Sequence, residues 1–267
     1  YLRGGPRIID ATSYFLEARA LSEGHLAWAA PEPASSVAGR FLVRDTLAGG
    51  ANVGVIFPPG YPAVLAIGFR LGAPLVIGPI LGAALVLLTA RVARGIARAE
   101  GWSASRTELA RKVAALLATT CACLRYHTAD TMSHGLAAVC FSGALLAALA
   151  ITSGERTFTR PARHRNALVA LALGLALGWL AATRPFSAPP CALAVVYVLG
   201  ASRSRALVGR NAALVVLGVA PGLALLVLHQ HATTGGWFRS SQALYYASSD
   251  GPTGCFRYGF GTGIGCR

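Results

Sequence analysis

PLVIGPILGAALVLLTA, residues 74–90, followed at once by RVARGIAR, residues 91–98, decides the fold class. The first stretch carries no charge, and cationic side chains arrive only where it ends. A helix needs about 20 predominantly apolar residues to cross the hydrocarbon core of a bilayer. Five more apolar runs follow: Leu109–Leu124, Met132–Ile151, Ala167–Ala182, Phe186–Gly200 and Ala212–Leu228. Composition agrees. Charged residues make up 13% of the 267, against about 25% in an ordinary soluble domain. The reading is an all-α polytopic membrane protein of about six spans.

The arginines give the sidedness. The formal net charge of +14 would suggest nucleic acid if it formed one patch. Here the cations instead lie between the apolar runs. If each run crosses once, one side receives Arg91, Arg94, Arg98, Arg106, Arg111, Lys112, Arg156, Arg160, Arg163, Arg165, Arg203, Arg205 and Arg210. The short loops of the other side carry only Arg125 and Arg184. The positive-inside rule makes the first side cytoplasmic. Residues 1–73 are then an outer first loop, 74–232 the helix bundle, and 233–267 the start of a second outer loop. Lys112 is the single lysine, and Arg, Ala and Gly dominate, as in GC-rich bacterial genomes. With Tyr1 at one end and a polar, glycine-rich stretch at the other, the chain reads as a piece of a longer protein.

The outer segments contain shorter elements. Ala11–Glu23 reads as a helix with Asp10 at its N-cap and Tyr14, Ala18 and Leu21 on one face. Gly24 ends it. Residues 40–44 and 51–57 read as strands around Ala48-Gly49-Gly50. Tyr61–Leu71 reads as a helix lying on the outer membrane surface. Cys255 and Cys266, in the final loop, either pair as a disulfide or stay free. The Tyr-, Phe- and Gly-rich segment from 239 onward suits sugar stacking or the interfacial belt. There is no P-loop, zinc-finger spacing or nucleophile elbow.

Three stretches carry a family likeness: IIDATSYFLEARALSEGH (Ile8–His25), FPPGYPAVLA (Phe57–Ala66), and the outer turns LRYHTADTMSH (Leu124–His134) and AATRPFSAPP (Ala181–Pro190) in their order. The chain resembles the GT-C class of membrane glycosyltransferases, in the bacterial branch related to protein mannosyltransferases and aminoarabinose transferases. Two positions depart from that pattern. Asp10 is followed by Ala11 where many relatives carry paired acids, and His134 stands where relatives often have an acid. The resemblance implies a GT-C-like bundle with outer juxtamembrane helices in a bacterial cytoplasmic membrane. It also implies a polyprenyl-phosphate sugar as donor, and a lipid, glycan or protein acceptor on the outer face.

Such a transfer needs a carboxylate to take the acceptor proton and cationic groups for the leaving phosphate. Asp10 is the candidate base, or simply a helix cap. Glu17, Tyr14, Arg19 and Tyr61 belong to the matching stretches as substrate-binding candidates. The plainer readings are a solvated charge for Glu17, packing for Tyr14 and headgroup contact for Arg19. Arg184 is the candidate phosphate ligand, or an interfacial arginine. His127, Asp130 and His134 cluster at one outer turn. Asp130 and His134, at i and i+4, either face together toward a divalent metal or form an ordinary helix start. His229 and His231 read as interfacial. The competing function is a transporter or lipid flippase, which calls for charges inside the spans and repeated broken helices.

Overall fold

The computed structural model describes residues 6, 8–29, 41–44, 52–153, 160–200 and 205–249. The Ala48-Gly49-Gly50 turn, Cys255, Cys266 and most of the aromatic final segment lie outside the described residues. Along the chain come α1 (Ile9–Ser22), β1 (Trp28–Ala29), β2 (Leu42–Arg44), β3 (Asn52–Val55), α2 (Gly60–Arg70), α3 (Ile77–Ala99) and α4 (Ala104–Thr120). Then follow α5 (Ala122–Ala129), α6 (Ser133–Ser153), α7 (Arg160–Thr183), α8 (Ala188–Gly200), α9 (Arg205–Thr234) and α10 (Ser241–Ser249). Among the described residues, four stretches are helices long and apolar enough to cross a membrane: Pro74–Ala99, Ser133–Thr152, Asn166–Thr183 and Ala212–Thr234. The chain divides into two compact units, residues 75–225 and residues 4–74 with 226–267.

In the first unit, glycines set the packing. The approach of α7 to α9 is so close that a Cβ on Gly178 would lie 2.8 Å from Val219 Cα and overlap its carbonyl oxygen. Gly174 meets Val215 and Gly218 in the same way, and Gly222 meets Gly178. Small residues four apart let membrane helices approach backbone to backbone. Contacts advance together along both chains, so α7 and α9 run parallel and α8 is the return between them. The same logic applies to α3 and α6. Gly82, early in α3, and Gly135, early in α6, both face Thr128, while Gly95, late in α3, faces Leu149, late in α6. These helices are therefore parallel, and α4 with α5 returns between them. Behind them Ala144, Ala148 and Ile151 of α6 bury against Ala170 and Leu173 of α7 and Val195 of α8.

The six expected runs are all helical, but two depart from a simple span. The return at Leu109–Leu124 is split: Cys121 takes an extended backbone (φ −62°, ψ 111°) between α4 and α5. The run at 186–200 forms α8 of only 13 residues, about 20 Å of helix, short of the hydrocarbon thickness.

In the second unit α1 and α2 pack together. Both end in the same cap: Gly24 (φ +90°) and Gly72 (φ +72°) take the left-handed conformation that glycine adopts without strain. His25 N–H then donates to Ala20 O and Ala73 N–H to Gly68 O, each at 2.9 Å. The two expected strands form and pair antiparallel, Leu42 opposite Val55 and Arg44 opposite Val53. The sheet order is β1-β3-β2, with β1 an addition that the sequence reading lacked. Ser241 Oγ donates to Ile56 O at 2.8 Å, tying the start of α10 to the strand end.

Candidate functional site

Within the second unit, α1 presents Asp10, Tyr14, Glu17 and Arg19 in four different environments. The helix begins at Ile9 with Ile8 as its N-cap and no side-chain capping bond. The expected capping role of Asp10 is therefore corrected: it sits one residue inside the first turn, where its side chain has not the N-cap geometry. Asp10 is half-buried, and among the described residues its carboxylate has no hydrogen bond or ion pair. Its place in the first turn faces the positive end of the helix dipole. Tyr14 is buried. It stacks on Phe57 (ring centroids 4.7 Å) and meets Tyr61 edge-on at 5.6 Å. Tyr61, 1% exposed, belongs to the same aromatic core. Arg19 is exposed and pairs with Glu23 at 3.5 Å.

Glu17 overturns the expectation of a solvated charge. It is 1% exposed, and its Oε1 lies 3.0 Å from Nε2 of His229, which is fully buried near the end of α9. The reading of His229 as interfacial is corrected with it. Glu17 Oε2 and His229 Nδ1 have no hydrogen-bonding partner among the described residues. Burial raises the Glu17 pKa above its ordinary value, and His229 only partly offsets this. The overlooked signal is the packing face itself: Ala11, Ser13, Tyr14, Ala18 and Ala20 are buried, and residue 17 falls within the face they define on a helix. His231, one turn-face away, stacks flat on Trp237 with centroids 3.9 Å apart.

Within the first unit, the residues from 121 to 134 form a second cluster. Thr128, at the end of α5, is held between three glycines. A Cβ on Gly82 would lie 3.1 Å from its Oγ1, one on Gly135 2.9 Å from its Cγ2, and one on Gly78 would overlap its carbonyl oxygen. This socket fixes the neighbouring side chains. The His127 ring stacks on His134 (4.5 Å, 30°), and Tyr126 lies edge-on to His127 at 5.3 Å. Arg184, just past the end of α7, lies within electrostatic range of His134. Gly78→Ala is expected to lower the thermal stability of the purified protein by about 1–3 kcal/mol, because the backbone of Thr128 cannot yield. An unchanged melting curve would remove the socket.

The expected pairing of Asp130 with His134 is corrected. It assumed a continuous helix, but α5 stops at Ala129. Asp130 has an extended backbone (φ −87°, ψ 159°), and its Oδ1 accepts the Thr131 N–H at 2.8 Å. Among the described residues, no three His, Cys, Asp or Glu side chains are grouped to hold a metal ion.

Comparison of the chain with protein-family models, with curated proteins and with solved structures returns no match. The likeness carried by Ile8–His25 and Phe57–Ala66 thus rests on those residues alone. Sequence reasoning had grouped His127, Asp130 and His134 at one outer turn and treated Arg184 separately at the next, and the structure keeps all four in one unit. It had also treated Asp10 and Glu17 as partners on one helical face, whereas their side chains have separate roles.

Proposed function

We propose that the protein is a bacterial membrane glycosyltransferase of GT-C type, moving a sugar from a polyprenyl-phosphate-linked donor to an acceptor hydroxyl on the outer face of the cytoplasmic membrane. The observation that carries this reading is the state of Asp10. Of the acidic groups on α1, Glu17 is consumed by His229, and only Asp10 is left half-buried with no partner among the described residues. A general base needs an unengaged carboxylate held on a rigid element. In this reading the acceptor oxygen attacks the anomeric carbon as Asp10 takes its proton. The bond from that carbon to the phosphate oxygen breaks, and the lipid phosphate leaves with the electron pair. A departing phosphate calls for a cationic group to take up its charge. Tyr14 and Tyr61 act by packing α1 and α2, not by touching sugar.

The competing reading, a transporter or flippase, draws on one specific observation. His229 belongs to a membrane-long helix and is paired with a buried carboxylate, and ionisable groups at such positions often mark transport pathways. The two separate in one experiment. Membranes containing the protein are supplied with radiolabelled polyprenyl-phosphate sugars, for wild type and Asp10→Asn. Transfer by wild type and a loss of about 100-fold or more in the variant, at equal expression, is the expected result. Equal transfer by both removes Asp10 from the chemistry. No transfer from any donor shifts the reading to transport.

A further inference from the structure

Along α5 lies a cavity that the catalytic proposal does not use. Its volume is about 460 Å³, and it is lined by Ala122, Arg125, Tyr126 and Ala129. These four positions follow the i, i+3, i+4, i+7 pattern, so they form one face of α5. The volume falls in the range of small-ligand sites. The lining is an aliphatic floor of two alanines, an aromatic ring and one cation. Arg125 has no carboxylate or other hydrogen-bonding partner among the described residues. Thr128 is not among the residues lining the cavity, so its socket holds α5 firm without occupying that face.

We propose that this cavity binds the phosphate headgroup of an anionic membrane lipid, with the lipid chain against Ala122, Ala129 and the Tyr126 ring. Two arguments select a lipid. The lining helix lies in the return between α3 and α6, which both belong to membrane-long stretches, so lipid is the molecule at hand. An apolar floor beside an unpaired guanidinium complements an amphiphilic anion, and the planar fork of arginine matches phosphate oxygens. A free anion would leave the alanine floor wet, and an uncharged lipid would leave Arg125 unmatched. The site does not depend on glycosyl transfer.

The test uses the purified protein in detergent, stripped of lipid, and titrated with phosphatidylglycerol, with phosphatidylcholine, and with inorganic phosphate. Binding is read by native mass spectrometry. The variants are Arg125→Gln, which removes the charge, and Ala129→Phe, which fills the cavity. Wild type is expected to take up phosphatidylglycerol at least tenfold more tightly than phosphatidylcholine, and each variant to lose that preference. Inorganic phosphate in excess should leave the lipid bound. Should Ala129→Phe fail to fold, Arg125→Gln decides alone. Wild-type phosphatidylglycerol preference in Arg125→Gln overturns the proposal, as does displacement of the lipid by inorganic phosphate.

Discussion

Gly178→Ala is expected to destabilise the helix bundle by about 3 kcal/mol or more, in the range reserved for a few severe mechanisms. Alanine is ordinarily the better helix former, by roughly 0.5–1 kcal/mol over glycine. The sign reverses here because the new methyl group would strike the backbone of Val219, 2.8 Å away at Cα and closer at the carbonyl. A side chain can rotate aside, but a helix backbone cannot. The whole of α9 would have to move outward from α7, and Gly174, Gly218 and Gly222 would lose their contacts with it. Membrane helices have no hydrophobic drive to restore the association, since lipid is as apolar as their own side chains. A matched control exists in Gly143, on α6, where a Cβ would meet nothing within 4 Å. Gly143→Ala is expected to leave stability unchanged or raise it. The measurement is thermal unfolding of both variants in the same detergent. Equal midpoints would mean that α7 and α9 do not cross at these glycines.

That crossing was present in the sequence as Gly174–Gly178 and Gly218–Gly222, four apart on two runs, yet a search for spans registers them only as tolerated small residues. Hydropathy reports where a helix can sit in lipid, not which face meets a neighbour. The four membrane-long helices were legible for that reason, and so was the hairpin of β2 and β3, whose alternation is local. The break at Cys121 was not legible, because Thr119-Thr120-Cys121-Ala122-Cys123 contains neither proline nor glycine. The segment after it packs tertiarily, with Thr128 held in a socket made by α3 and α6. A second break, between Ala129 and Ser133, defeated the i, i+4 argument for Asp130 and His134, which holds only inside an unbroken helix. At the candidate site, Asp10 was found by its flanking residues, but its capping role failed by two residues, Ile8 being the N-cap, the ordinary error of a helix boundary. His127 and His134 were gathered by nearness in sequence, and their stacking needed the turn at 130–132.

Glu17 shows what a one-dimensional reading cannot supply, and it carries the second large effect. Glu17→Ala is expected to cost about 3–5 kcal/mol, because removing one partner of a buried pair strands the other. His229 would remain fully buried with its Nε2 left facing no partner. The mirror variant His229→Ala should cost a similar amount. The double replacement Glu17→Met with His229→Leu should recover most of the loss, since two apolar residues of like volume need no solvation. Unfolding in detergent of the wild type, Glu17→Met, His229→Leu and their double variant gives the coupling directly. Simple additivity of the two single losses would overturn the pairing. The pH dependence adds a sign that packing alone does not predict. Burial holds the Glu17 pKa above its ordinary 4.5, with His229 opposing. The folded state therefore binds this proton more tightly than the unfolded state. The associated stability is fully present below about pH 4.5 and is lost as pH rises through the raised value. Glu17→Gln cannot titrate, so its stability should change less over that window than the wild type. A wild-type slope that persists in Glu17→Gln would assign the dependence to another group. A slope that vanishes would establish that the carboxyl of α1, silent in the sequence as a surface charge, controls how firmly the end of α9 is held.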